Sequence, residues 1–261
     1  MEALIKVRGV RKVYPHRSTG RDLVALKGID LDIAPNEFVC LLGPRGCGKT
    51  TLLKIMDGMI KPEAGTVTVG GKPILEALGD IGFVFQDVGL LAWRTVVSNV
   101  GLGLEARGLP KEEREKLAAE YLKLVGLESF ATYHPYQLSG GMQQRVGLAR
   151  ALAIKPKVLL MDEPFGAVDA MTRRGLQIEL ARIWEQNRVT VVFVTHDVDE
   201  ALFLADRIVV MNMADVVKSV SVTLPRPRWT TDARTNPQYV ALRTDIVRTL
   251  ESSGAVAGGT I

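Results

Sequence analysis

Gly43-Pro44-Arg45-Gly46-Cys47-Gly48-Lys49-Thr50 comes directly after the apolar run Phe38-Val39-Cys40-Leu41-Leu42. A short apolar run without alternation, closed by glycine, reads as a buried strand. The eight residues from Gly43 to Thr50 fit G-x-x-x-x-G-K-[ST]. Glycines at that spacing let backbone N–H groups converge on an anion. The helical pattern after them, Thr50 to Met59, adds its positive end. Lys49 can reach the β- and γ-phosphates of a nucleotide, the Thr50 hydroxyl can ligate Mg²⁺, and Thr51 extends the cradle. Cys47 reads as a small filler of the loop. Arg45 reads as a side chain near the phosphates or, by preference, one that projects into solvent.

Two further apolar runs end in polar residues. Val158 to Met161 leads into Asp162-Glu163, and Val189 to Thr195 leads into His196-Asp197, with a helical stretch from Met171 to Asn187 between them. Apolar strands alternating with helices predict a parallel sheet covered on both faces. Such sheets bind ligands at the carboxyl ends of their strands. Asp162 is then placed to hold Mg²⁺, and Glu163 to orient or deprotonate a water. Residues 1–80 read as short strands, Leu4 to Val7, Asp30 to Ile33 and Gly65 to Val69, broken at Pro35-Asn36 and Gly70-Gly71.

Residues 87–154 read as a helical insert. Pro110 suits the first turn of a helix running to Val125, with Leu117, Tyr121, Leu124 and Val125 on one face and Glu112 and Lys116 as an i,i+4 pair. A second helix fits Gly140 to Ala153, with Ser139 as N-cap. After Met211 the pattern weakens. Leu224-Pro225-Arg226-Pro227-Arg228 reads as a linker or turn, Pro237 to Leu250 as a terminal helix, and Ser252 to Ile261 as small and flexible.

The 261 residues are 47% apolar and 24% charged, with a net charge of +4. That is ordinary globular usage and excludes a disordered or collagen-like chain. No basic, aromatic-laced face suggests nucleic acid. No apolar run approaches the roughly 18–20 residues that span a bilayer, and the first residues lack the basic start and apolar stretch of a secretory signal. Two cysteines, Cys40 and Cys47, point to a reducing compartment. A cytosolic protein is expected, with any membrane role supplied through a partner.

Leu138-Ser139-Gly140-Gly141-Met142-Gln143-Gln144-Arg145 then matches the signature of ATP-binding-cassette (ABC) transporter ATPases, with Met142 where many members have Gln. The resemblance implies a P-loop α/β core with a small antiparallel β subdomain and an inserted helical subdomain. It also implies two copies that associate head to tail around MgATP. Ser139, Gly140 and Gly141 would cover the γ-phosphate of ATP held by the other copy. Gln86, in Val84-Phe85-Gln86-Asp87, resembles the Gln that touches Mg²⁺ and the water. His196 resembles the histidine that contacts the γ-phosphate. Asp169, in Gly166-Ala167-Val168-Asp169, resembles the Asp that crosses the dimer interface, with Val168 for the commoner Leu. Tyr14 resembles the aromatic that stacks on adenine, and a packing tyrosine is the alternative.

The resemblance covers Leu4 to about Met211. It divides the chain into a nucleotide-binding core (1–86 and 155–211), a helical subdomain (87–154) and a tail (212–261). Residues 89–96, 162–169, 193–201 and 224–228 resemble bacterial importers of nitrate, sulfonate, taurine and similar small anions. The expected partners are a second copy, transmembrane permease subunits and, indirectly, a solute-binding protein, with the chain peripheral on the cytoplasmic face of the membrane. Trp93 and Leu90-Leu91 would dock a short helix of the permease, unless Trp93 packs inside the helical subdomain. A soluble ABC ATPase, an ATP-dependent switch without turnover, and an importer motor for an organic solute such as a thiamine precursor stand as alternatives.

Overall fold

The computed structural model describes residues 2–15, 22–166, 168–230 and 235–252. Ala167, within the quoted 166–169 stretch, and residues 253–261, where the sequence predicts a flexible end, lie outside the described residues. In chain order the strands are β1 (Ile5–Tyr14), β2 (Leu23–Ile33), β3 (Phe38–Leu42), β4 (Ala64–Val69), β5 (Lys72–Pro73), β6 (Ile81–Val84), β7 (Val158–Asp162), β8 (Thr190–Thr195), β9 (Arg207–Asn212) and β10 (Asp215–Ser221). The α-helices are α1 (Lys49–Met56), α2 (Ile74–Ala77), α3 (Val96–Val100), α4 (Leu102–Ala106), α5 (Lys111–Leu124), α6 (Gly140–Ala153), α7 (Ala170–Asn187), α8 (Val198–Leu204) and α9 (Pro237–Ser252). Contacts divide the chain into two compact units, 1–79 with 190–261, and 80–189.

The first unit holds an antiparallel sheet in the order β2-β1-β4-β5, and strands in the order β10-β9-β3-β8. β3 runs parallel to both β8 and β9, and every residue of β3 and β8 is buried. Apolar runs of this kind belong to strands covered on both faces, which is why they carry no alternation. β1 and β2 alternate instead, with Ile5, Val7, Val10, Leu26, Ile29 and Ile33 inside. They extend well past Leu4 to Val7 and Asp30 to Ile33, because their second faces are polar and register shifts between Val7 and Arg11 interrupt the period.

In the second unit β6 and β7 pair in parallel, and α3, α4 and α5 pack on α6. Ser139 caps α6, accepting the Met142 N–H at 3.4 Å. Pro110 precedes α5 as its N-cap residue. The buried residues of α5 and its end are Ala118, Leu122 and Val125. Leu117, Tyr121 and Leu124 flank that stripe. The ion pair along the helix joins Lys111 and Glu115 at 3.8 Å. The buried face is therefore centred a residue away from the expected one, on Ala118 and Leu122. Trp184 is buried in α7, and its indole N–H donates to the Val189 carbonyl at 2.7 Å.

Among the described residues after Met211, regular structure is more extensive than the sequence pattern suggests. Asp215–Ser221 is a strand, antiparallel to β9, whose period is hidden in the sequence because Val217 faces outward and Lys218 lies on the half-buried face. The turn at 224–228 contains Arg228, which is 3% exposed. The helix expected over Pro237 to Leu250 spans Pro237–Ser252.

Candidate nucleotide site

In the first unit, Leu42 of β3 lies in register with Thr195 of β8. Gly43 and His196 therefore leave neighbouring strands at the same edge. A β-carbon on Gly43 would lie 2.1 Å from the Met211 carbonyl oxygen, and one on Gly48 would lie 2.3 Å from the Ala25 carbonyl oxygen. Gly48 also has φ +106° and Gly46 φ +81°. Only glycine can hold the loop in this path. Gly48 caps α1 without a side chain, leaving the N–H groups of the first turn to an anion.

Lys49 is 4% exposed. Its ammonium donates to the Gly43 and Pro44 carbonyls at 2.8 and 2.9 Å and lies 3.8 Å from Cys47 Sγ. These bonds place a cation inside the loop. Thr50 is half-buried, and Arg45 is exposed, as preferred from the sequence. Burial pushes the Cys47 thiol up, with Lys49 pulling part of the way back. Cys47 is thus a buried filler. Tyr14 ends β1 with its ring half-buried and the Lys12 ammonium 5.4 Å from the ring centroid. His196 is exposed, between Thr195 and Asp197.

In the second unit, Val84 of β6 lies in register with Met161 of β7. Gln86 and Glu163 each fall two residues beyond, so the register brings them to matching positions. Asp162 closes β7 and is buried. Glu163 has φ +41°, unusual for a side chain with a β-carbon and a form of strain that collects at functional sites. A β-carbon built on Gly166 would stand 3.6 Å from Gln86 Nε2 and 3.8 Å from Glu163 Oε2, so the amide and the carboxylate converge on one glycine.

Ser139 and Gly140 are exposed, whereas Gly141 is buried. Asp169 accepts the Met171 and Thr172 N–H groups at 3.1 and 3.0 Å, so it caps α7. Hydrogen bonding from Thr172 holds its carboxyl below the usual range. Trp93 is 75% exposed, which removes the reading in which it packs inside. Its loop is locked by Asn99, fully buried, which bonds Leu91 N–H and the Leu91, Arg94 and Thr95 carbonyls at 2.8–3.2 Å.

Sequence reasoning assigns no role to Asn99, although an amide in line with Val96 on a buried helix face is a usable signal. It also passes over Gln144, which donates to the Gln86 carbonyl at 3.4 Å, and Glu200, a buried carboxylate on Thr195.

The residues expected to serve a metal are a threonine hydroxyl, Thr50, in the first unit, and a buried carboxylate, Asp162, with an amide, Gln86, in the second. Such hard oxygen groups fit Mg²⁺, which keeps water and phosphate oxygens as its other ligands. Among the described residues no group of three His, Cys, Asp or Glu gathers as a protein-only metal site.

A glycine loop around a buried lysine, together with acidic and histidine residues at strand ends, defines a P-loop nucleoside triphosphatase. The ABC transporter family model matches residues 26–166. An uncharacterized ABC transporter ATP-binding protein, MJ0412 of Methanocaldococcus jannaschii, is 46% identical over 253 residues, covering 96% of this chain and 92% of that protein. The bicarbonate transport ATP-binding protein CmpC of Synechococcus elongatus is 46% identical, and the nitrate import ATP-binding protein NrtC of a Synechocystis strain 45%. Each match covers 95% of this chain, which spans only 38% of those two proteins. The dimeric ATP-binding cassette MJ0796, solved in a post-hydrolysis state bound to ADP and Pi, is similar at TM-score 0.74 and 36% identity, over 85% of this chain and all of that one. This chain belongs to the ABC transporter family and is an ATP-hydrolysing cassette.

Proposed function

We propose that the cassette powers import of a small anion of the nitrate, sulfonate or taurine kind. Two copies associate head to tail on the cytoplasmic face of the membrane, against permease subunits that receive cargo from a solute-binding protein. The nitrate and bicarbonate relatives support this reading, as do the stretches at 89–96 and 193–201. Among the described residues no helix is long and apolar enough to cross a membrane. The core comprises 1–86 and 155–211, the helical part 87–154 and the tail 212–261.

Each side chain has one task in the proposed cycle. Tyr14 offers a ring face to adenine. Residues 43–51 bind the phosphates through backbone N–H groups and the Lys49 ammonium. Thr50, Asp162 and Gln86 hold Mg²⁺, which, when bound, neutralises phosphate charge. Glu163 orients the attacking water and takes its proton, and His196 contacts the γ-phosphate. Ser139, Gly140 and Gly141 of the second copy complete the site, with Asp169 at the interface. Catalysis is positioning plus charge stabilisation.

The exposed Trp93, with half-buried Leu90 and Leu91 on the same loop that Asn99 holds, is the observation that carries the membrane-partner reading, since adjoining apolar side chains at a surface suit docking. The test is capture from detergent-solubilised membranes with tagged Glu163→Gln protein and MgATP. A polytopic membrane protein should be recovered, and lost with Trp93→Ala. Recovery of ribosomes or DNA instead would move the function to a soluble ABC ATPase. Glu163→Gln should lower turnover by about 10²–10⁴-fold, and parental turnover would remove the base assignment.

A further inference from the structure

The segment carrying His196 is held from behind. The Thr195 hydroxyl donates to Glu200 at 2.5 Å and accepts the Asp197 N–H at 3.0 Å. Asp197 in turn caps α8, accepting the Asp199 and Glu200 N–H groups at 2.8 and 3.0 Å. His196 thus projects between two fixed neighbours.

Asp199, in the first turn of α8, is gripped by the C-terminal helix. Its Oδ1 accepts the Tyr239 hydroxyl at 2.7 Å and the Arg243 Nε–H at 2.9 Å. Tyr239 is 4% exposed, and Ile246 is fully buried two turns further along α9. Lys218 of β10 anchors the same helix through Asp245 at 2.7 Å. The other end of α8 is held by Arg228, whose guanidinium donates to the carbonyls of Leu202, Phe203 and Ala205. Both ends of α8 are therefore tied to residues beyond β10. A carboxylate in a first helical turn is already favoured by the helix dipole. Two donors on one oxygen fix a direction.

We propose that Tyr239 and Arg243 are positioning residues for ATP hydrolysis: through Asp199 they set the first turn of α8 and so the direction in which His196 is presented. The proposal rests on His196 acting at the γ-phosphate. It makes the tail part of the hydrolytic machinery, by way of α8.

The test uses the full chain carrying Tyr239→Phe with Arg243→Gln, assayed for MgATP turnover, KM, nucleotide affinity and thermal midpoint. The expected result is a kcat lowered about three- to tenfold, with KM and affinity held within about twofold. Restoring the arginine, so that Tyr239→Phe stands alone, should recover most of the rate. In a His196→Ala background the pair should cost nothing further, because residues acting as one unit are non-additive. An unchanged kcat overturns the proposal, and so does the same fold-loss in the His196→Ala background, or a loss seen in KM alone. A His196→Ala chain as fast as the parent overturns the histidine reading itself and the proposal with it, an outcome distinct from the others. If the double variant does not melt cooperatively, Arg243→Gln alone, which keeps the buried Tyr239 ring and changes only an exposed side chain, decides on the same readouts.

Discussion

Gly141 lies against Thr172 so closely that a β-carbon on it would stand 2.6 Å from Thr172 Cγ2, while one on the adjacent Gly140 would meet nothing within 4 Å. The two signature glycines therefore differ in what requires them. Packing against Thr172 disfavours a side chain at Gly141, and nothing among the described residues opposes one at Gly140. Gly141→Ala should destabilise the fold by about 1–3 kcal/mol through overpacking, read in urea melts. Gly140→Ala should leave stability unchanged or slightly raised, since alanine is the better helix former, yet lower ATP turnover at least about tenfold. Equal turnover in parent and Gly140→Ala would mean that no second copy approaches there.

Lys49 donates its protons to its own loop. Lys49→Met keeps the stem and removes the charge. ATP at 100 times its Kd should stabilise the parent by about 2.7 kcal/mol, and thermal-shift curves of the variant should show little of that gain.

Burial pushes the Asp57 carboxyl, at the end of α1, up to about 6 from its ordinary 3.8. The folded chain then holds this proton more tightly than the unfolded one. The stability it contributes is complete below about pH 4 and is lost as pH rises through about 6. Asp57→Asn removes the ionisation. Because the group is partly open to solvent, the expected gain is only about 1 kcal/mol at pH 7.5, with none at pH 4. Thermal melts at the two pH values check it.

Cys40 and Cys47 are both buried, and burial raises both thiols. A disulfide reagent at pH 7.5 should therefore label neither in the folded chain and both in guanidinium. Rapid labelling of one thiol without denaturant would contradict the buried position of Cys47.

Trp93→Ala touches only an exposed side chain and should shift stability by less than about 0.5 kcal/mol. Asn99→Ala takes the side-chain partner from the Leu91 N–H and the Arg94 carbonyl, while the Leu91 and Thr95 carbonyls keep a backbone donor each. It should cost about 2–3 kcal/mol and weaken membrane capture as well. Calorimetry on both variants beside the capture assay separates the loop's shape from its tip.

Phe38–Leu42 and Gly140–Ala153 are legible to the residue, because glycine, serine and a closed apolar run mark their ends. β10 is not, since apolar Val217 faces solvent while Lys218 lies on the half-buried face, which breaks the alternation. Nor is the burial of Arg228, because a buried cation is tolerable only where carbonyls converge, and their convergence is a property of the folded chain. The candidate site is legible as an ordered set of residues. That Gln86 and Glu163 stand level depends on the β6–β7 register, which no motif spells out. The role of Asp169 as a helix cap is equally hidden.

Arg228 gathers carbonyls from α8 and from Val222 and Leu224. Trimming the chain behind Ser221 to obtain a minimal cassette would strip the Leu202, Phe203 and Ala205 carbonyls of this donor and remove the ties of Asp199 to Tyr239 and Arg243. Such a shortened protein would be a poor baseline for kinetics, since its slower rate would be charged to the missing residues' own chemistry. Affinity tags and fusion partners face the same restriction and belong beyond Ser252, where they leave this staple in place.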